Sequence, residues 1–182
     1  DSCQIELKPY DINKEYHTED KMIPEKMNKA INDQIAKELY SEYLYLAMAT
    51  WFAEKNLDGF ANWFYKQATE EHNHAMKFMH YLIERGGSVK VPGIAEPKIE
   101  AVKYIEFFQA ALEHERFISK SINELMDVAL EINDHASKSL LQWFVDEQVE
   151  EEGSVEKIVA YLEMIGENTG AIFMLNAELG KR

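Results

Sequence analysis

The sequence predicts an all-α protein, an up-down-down-up bundle of four long helices with one long crossover and a short fifth helix at the C-terminus. Three observations support this fold. Apolar residues recur at steps of three and four over most of the chain, the spacing of one helix face. Eight glycines and four prolines in 182 residues leave room for long helices. Two short breaks and one long connection divide the pattern into four stretches of nearly equal length.

The first two helices are bounded by residues that favour helix ends. Pro24 suits the first position of a helix that continues to about Lys55. Asp58 is a candidate N-cap for the second helix, which continues to about Arg85 and stops at Gly86-Gly87. The turn between them is short, so the two helices should form an antiparallel hairpin.

The second half of the domain repeats this organisation after an extended connection at 88–102. A third helix is predicted at 103–131, and Asp134 or Asn133 can cap a fourth that continues to about Ile165. Residues 171–179 are apolar enough for the fifth helix. A connection of about 16 residues reaches roughly 50 Å, which makes the second and third helices parallel.

Composition narrows the classes of partner and compartment. The net charge of −14 repels phosphate backbones and anionic lipid, which argues against nucleic acid and membrane partners. No apolar run is long enough to span a bilayer, and no secretory leader is evident. The single Cys3 excludes a disulfide framework and a cysteine-based metal site, and it favours the cytoplasm.

One domain is predicted, over residues 22–182. Residues 1–21 are polar and lack sustained periodicity, so we interpret them as a flexible arm or an expression remnant. Met22-Ile23-Pro24-Glu25 is a plausible natural start.

Each long helix carries an apolar row with an acid near its centre. In the first helix this row is Ile31, Ile35, Glu38, Glu42, Tyr45, Ala49 and Phe52. Because each acid lies near the midpoint of its helix, all four fall in one layer whatever the helix direction. These central acids are Glu38, Glu71, Glu115 and Glu151.

The layer of four acids predicts a metal site. No Lys or Arg occupies any of the four rows, and buried carboxylates without a basic partner must be protonated or bind cations. His74 lies three residues after Glu71, and Gln148 three residues before Glu151. Oxygen-rich ligation with one imidazole suits iron or manganese better than structural zinc, and four carboxylates balance two divalent cations. The alternative is a plain bundle whose central acids are merely polar.

Four motifs carry a resemblance to a known family. From Met22 to Arg182 the chain resembles the non-haem bacterial and archaeal ferritins. The resemblance implies iron storage in a twenty-four-subunit homo-oligomeric cage, with Fe(II) oxidised by dioxygen or peroxide at a dinuclear ferroxidase centre. The motifs are Lys37-Glu38-Leu39-Tyr40-Ser41, Glu70-Glu71-His72-Asn73-His74, His114-Glu115 and Gln142-Trp143-Phe144-Val145-Asp146-Glu147-Gln148-Val149-Glu150-Glu151-Glu152.

The resemblance also implies roles for individual residues. Glu38, Glu71 and His74 would bind the first iron, and Glu71 would bridge to a second iron that Glu115 and Glu151 complete. Gln148 matches a glutamine beside the oxygen-binding position, and Tyr45 matches a tyrosine that supplies an electron. The acids that match an additional iron position are Glu70, Glu147 and Glu150.

Two departures favour the storage branch over related proteins. Bacterioferritins, rubrerythrins and other di-iron enzymes carry a second Glu-x-x-His on the fourth helix, where this chain has Gln148 and Glu151. His72 stands where bacterioferritins have a haem-ligating methionine, so no haem is expected. A di-iron or di-manganese oxidase or peroxidase that acts without storage remains an alternative. A DNA-protecting miniferritin is disfavoured, because its ligands lie between subunits.

Overall fold

The computed structural model describes residues 23–182, which form five helices and no strand. The predicted all-α class with a short fifth helix is confirmed. The predictions for residues 1–21 fall outside the described part of the chain. The helices are α1 Glu25–Ala53, α2 Asp58–Glu84, α3 Tyr104–Glu131, α4 His135–Ile165 and α5 Thr169–Leu179.

The observed helix ends differ from the predicted ones by at most two residues. Pro24 is the N-cap of α1 and not its first helical residue. Asp58 is the first residue of α2, Leu57 is the N-cap, and no side chain caps the helix. The Asp58 carboxylate therefore acts through its charge in the first turn, where the helix dipole favours an acid. Asp134 does cap α4, because its Oδ1 accepts the Ser137 N–H at 3.2 Å.

Two hairpins and one crossover set the topology. α1 packs against α2, and α3 packs against α4. The turn of each hairpin contains a residue with left-handed backbone, Asn56 (φ 59°) in the first and Asn133 (φ 56°) in the second. No regular secondary structure is present between α2 and α3. The start of this crossover is fixed to α1, since the Lys90 N–H donates to Asn32 Oδ1 at 2.7 Å.

The apolar core consists of two clusters with a polar layer between them. One cluster is rich in aromatic side chains, including Phe52, Phe64 and Phe108. The other is mainly aliphatic and includes Ile35 and Phe78. The side chains of both clusters are buried, so charged groups in the layer between them are shielded from water on two sides.

The predicted inward-facing row of α1 is wrong at one position. Glu42 was predicted to face inward, but it is half-buried and lies 3.1 Å from Nδ1 of the exposed His72. Ser41 is buried in its place. At about 100° per residue, Ser41 and Glu42 lie on either side of Glu38 on the helix face, and the smaller, uncharged side chain is the one that is buried, because its burial costs less.

The docking of α5 depends on Gly59, a buried glycine in the first turn of α2. A Cβ built on Gly59 would lie 1.6 Å from the Asn176 carbonyl oxygen, a backbone atom of α5. The Asn176 side chain fixes the contact, because its Oδ1 accepts the Gly59 and Phe60 N–H groups at 2.9 and 3.1 Å.

We expect Gly59→Ala to lower the free energy of unfolding by about 1–3 kcal/mol, the cost of overpacking a tight contact. The matched control is Gly153→Ala in the interior of α4, where an added Cβ meets nothing within 4 Å. That change should stabilise the protein by about 0.5–1 kcal/mol, since alanine is the better helix former. Thermal or denaturant unfolding of both variants checks the pair, and equal stabilities would contradict the proposed α5 contact.

Candidate metal centre

The four central acids lie buried between the two apolar clusters, one from each long helix. Their exposed fractions are 0% for Glu38 and Glu115, 1% for Glu71 and 5% for Glu151. Buried carboxylates occur rarely unless they are paired or bind a cation. The packing of the four helices therefore brings together the acids that the apolar rows single out.

Glu38, Glu71 and His74 form the tightest part of this layer. One ligand atom from each lies within 4.8 Å of the other two, and His74 Nδ1 is 3.7 Å from Glu71 Oε2. Among the described buried side-chain atoms, only Glu38 Oε2 and Glu71 Oε2 lack a hydrogen-bond partner. Two orphaned carboxylate oxygens beside an imidazole form the donor set expected around a divalent cation.

Glu115 is held by two residues that the sequence also singles out. The Tyr45 hydroxyl donates to Glu115 Oε1, and Gln148 Nε2 donates to Glu115 Oε2 at 3.1 Å. Both residues are buried, with Tyr45 0% and Gln148 4% exposed. Tyr45 and Gln148 therefore both hydrogen-bond to Glu115, an acid of the second half of the layer.

Two further glutamines contact the acids, and sequence reasoning missed their role. Gln34 Nε2 donates to Glu38 Oε1 at 2.9 Å, and Gln67 Nε2 donates to Glu151 Oε2 at 2.7 Å. The available sequence signal was a buried amide one turn before Glu38 and one turn before Glu71. Because Gln67 contacts α4 and not its own helix, that signal could not identify the partner.

Two cations lie close to the layer of four acids. Arg182 donates to Gln67 and lies 2.6 Å from Glu70, while Lys37 donates to the Ser121 hydroxyl behind Gln34. Neither cation contacts a central carboxylate directly in the structure, so the four acids still have no direct ion pair. Arg182 is separated from Glu151 by Gln67, and Lys37 is separated from Glu38 by Ser121 and Gln34.

Burial and mutual repulsion raise the pKa of every central acid. Burial raises the pKa of Glu38 to about 7 and that of Glu115 to about 8. Burial also raises the pKa of Glu71, with further contributions from the Glu115 and Glu38 charges, and it raises that of Glu151. The metal-free layer therefore retains protons near neutral pH, because four negative charges cannot share the site.

His74 is suited to bind a metal without first losing a proton. Burial lowers its pKa to about 4, with a smaller contribution from Lys77, so the imidazole is neutral near pH 7. Its ring packs edge-on against Trp143 and Phe144, with centroids 5.6 Å away in both cases. These contacts fix the ring plane, as neighbours of metal-binding histidines commonly do.

We expect a redox-inert divalent cation such as Zn²⁺ to release protons when it binds the metal-free protein. Glu38 and Glu115, with pKa values of about 7 and 8, are protonated below those values and must ionise to bind the cation. Proton release per ion should therefore be larger at about pH 6 than at about pH 9, and affinity should rise over the same interval. Titration in weak buffer with a pH indicator measures this; release that does not change with pH would contradict the assignment.

The acids of the additional position are only partly brought together. Ligand atoms of Glu147 lie within 4.8 Å of those of His74 and Glu151. Glu70 is paired with Arg182 at 2.6 Å, and Glu150 is exposed. Burial and the charges of Glu150 and Glu70 raise the pKa of Glu147, so the three acids do share one electrostatic environment.

An all-α bundle of two hairpins joined by a long crossover, with buried acids from all four helices and a histidine, defines the ferritin-like class of protein. Residues 28–165 match the family model described as a ferritin-like domain, and the chain belongs to the ferritin family. Within residues 23–182, no helix has the length and hydropathy that crossing a membrane requires.

Curated relatives and solved structures agree with this family. The chain is 35% identical to a bacterial non-heme ferritin of Staphylococcus aureus over 161 residues, 88% of this chain and 97% of that one. It is 40% identical to a bacterial non-heme ferritin of Bacteroides fragilis over 161 residues, 88% of this chain and all of that one. An open pore ferritin of the hyperthermophilic archaeon Archaeoglobus fulgidus superposes with a TM-score of 0.87 at 45% identity, covering 88% of this chain and 98% of that chain.

Proposed function

We propose that this protein is an iron-storage ferritin, which oxidises Fe(II) to Fe(III) at the buried centre and stores the product as ferric mineral. One observation carries the proposal: Glu38 Oε2 and Glu71 Oε2 are buried, have no hydrogen-bond partner and lie beside the neutral imidazole of His74. The similarity to bacterial non-heme ferritins supports iron as the metal that this site oxidises.

We propose two iron positions, of which only the first has its ligand atoms within 4.8 Å of one another; among the described residues, no such group of three includes Glu115. Glu38, Glu71 and His74 would bind one iron, and Glu71, Glu115 and Glu151 would bind the other. Glu71 is the central acid to which no glutamine amide donates, whereas Gln34, Gln67 and Gln148 each donate to one of the others. No amide therefore holds either oxygen of Glu71, which supports a bridging role for this acid.

The reaction balances with two Fe(II) ions and one dioxygen. Two electrons pass from the two Fe(II) ions to dioxygen, which takes up two protons and leaves as hydrogen peroxide; peroxide can serve as a further two-electron acceptor. Four carboxylates neutralise the charge of two Fe(II), and they stabilise Fe(III) more strongly than Fe(II) because its charge is higher. Tyr45, whose hydroxyl donates to Glu115, would be an electron donor only where dioxygen is reduced beyond peroxide, and the two-electron reaction does not require it.

Storage requires an enclosed assembly, and we propose a twenty-four-subunit homo-oligomeric cage. The single chain leaves large apolar side chains exposed on the first hairpin, which supports burial against other subunits. Exposed examples are Tyr43 on α1 and Tyr65 and Ile83 on α2. A cytoplasmic location is also proposed, because the sequence carries one cysteine and therefore no intrachain disulfide.

Anaerobic titration with Fe(II) tests the occupancy of the centre. Because Trp143 packs against His74, its fluorescence should change until about two Fe(II) per chain are bound and then remain constant. Trp143→Phe identifies the part of the signal that comes from this residue. Saturation at about one Fe(II) per chain, or no saturable binding, would refute the dinuclear centre.

A further inference from the structure

Gln34 and Gln67 occupy equivalent positions on opposite sides of the centre. Both are fully buried, at 1% and 0% exposed, and each donates its amide N–H to a central carboxylate. On its other side, each is connected to a cation that lies outside the centre. Since an amide can be turned by half a rotation at little cost in shape, the cation decides which end of the amide faces the acid.

On the α1 side, the direction of every hydrogen bond is fixed by the ammonium group of Lys37. An ammonium can only donate, and Lys37 Nζ donates to the Ser121 hydroxyl. The single hydroxyl proton of Ser121 is then donated to Gln34 Oε1 at 2.5 Å. Gln34 must therefore turn its NH₂ group toward Glu38, where it donates to Oε1 at 2.9 Å.

On the α2 side, Arg182 contacts the glutamine directly and so determines the orientation of the Gln67 amide. Its guanidinium can only donate, so the Gln67 atom that it contacts is the carbonyl Oε1. The NH₂ group of Gln67 then donates to Glu151 Oε2 at 2.7 Å. Arg182 is itself held by Glu70 at 2.6 Å and lies over the ring of Trp63, 5.0 Å from its centroid.

We propose that Gln34 and Gln67 are positioning residues of the iron centre, each locked by an outer cation so that its amide engages one carboxylate oxygen and leaves the other for iron. The proposal rests on the proposed function and deepens it. Glu38 shows the consequence directly, because Oε1 is bonded to Gln34 while Oε2 has no partner. An amide released from its anchor could present its oxygen to the carboxylate, which would repel the ionised form that binds metal.

Ser121→Ala tests this positioning role, because it removes the hydroxyl that links Lys37 to Gln34 while it keeps the Lys37 charge and the Gln34 amide. We expect Co²⁺ to bind about tenfold more weakly, the usual cost of losing a group that orients a ligand, and to show altered visible absorption bands. Gln34→Leu should cost about the same, and the double variant no more than Gln34→Leu alone, because the serine acts only through the amide. Ser121→Thr restores the hydroxyl and should restore binding.

Losses that multiply in the double variant, or wild-type binding in Ser121→Ala, would overturn the proposal. Ser139→Ala on the exposed face of α4 is the matched control, and thermal melting establishes that each variant is folded. On the other side, Arg182→Met should weaken Co²⁺ binding, whereas Lys181→Met at the adjacent exposed residue should not. If the wild-type protein bound no Co²⁺ or Fe(II), the proposed function itself would fail. If the wild-type protein bound Co²⁺ and the Ser121→Ala and Arg182→Met variants bound it equally well, only the positioning role of the two glutamines would be rejected.

Discussion

Replacing Glu38 and His74 together with alanine is expected to abolish rapid aerobic oxidation of Fe(II). The double variant removes one of the two orphaned oxygens and the only imidazole of the group formed with Glu71. The loss should exceed about a hundredfold, since even residues that only orient metal ligands cost 10–100-fold. Stopped-flow absorbance of ferric product, at about two Fe(II) per chain, measures the rate.

The same helices offer a matched control. Glu42 and His72 form a carboxylate–imidazole pair 3.1 Å apart on α1 and α2, but Glu42 is half-buried and His72 exposed, outside the central layer. Replacing Glu42 and His72 with alanine should leave the oxidation rate close to that of the wild type. Wild-type oxidation in the Glu38/His74 variant would show that the reaction occurs elsewhere.

Glu71→Gln is expected to stabilise the metal-free protein while it removes the stabilisation by bound metal. Glu71 is buried, and its ionised form is opposed by burial and by Glu115 and Glu38. Near neutral pH the Glu71 carboxyl keeps its proton in the folded protein but ionises in the unfolded chain, so its removal should stabilise the fold by about 1.4 kcal/mol for each pH unit above 4.5, up to the folded pKa. Thermal unfolding with and without Zn²⁺ measures both effects.

The pH dependence of this gain follows from the direction of the pKa shifts. A carboxyl group whose pKa is raised in the folded state costs nothing below its ordinary value of 4.5 and destabilises the fold as pH rises through the folded value. The advantage of Glu71→Gln should therefore be small at about pH 5 and larger at about pH 8. Glu113→Gln, an exposed acid on α3, is the control and should show no such trend. A gain that shrinks with rising pH would contradict the electrostatic account.

Much of the fold could be predicted because apolar periodicity and helix-end chemistry are local. The breaks near Gly86 and Asn133 are marked by residues that tolerate positive φ, and both adopt it, at 67° and 56°. The errors at the helix starts are one residue for α1, α2 and α3 and two residues for α5, which begins at Thr169 and not at 171. Such boundaries depend on backbone angles of neighbouring residues, which the identity of one residue does not determine.

The candidate centre was visible in the sequence because an acid in the middle of an apolar row is costly and therefore conspicuous. What could not be predicted depends on distant contacts. Arg182 reaches Gln67 across 115 positions of the chain, and Lys37 reaches Ser121 across 84. A buried glutamine in a sequence shows neither its partner nor which end of its amide faces that partner.

Aerobic addition of Fe(II) to the purified protein, followed by size exclusion, tests the central claim most directly. Ferric absorbance should develop within seconds at about two Fe(II) per chain, and a larger addition should leave iron and protein together in one particle far larger than a single chain. The Glu38/His74 double variant should form ferric product only at the rate of the protein-free control. Iron that oxidises no faster with the wild-type protein than without it, or that precipitates apart from the protein, would contradict the ferritin assignment.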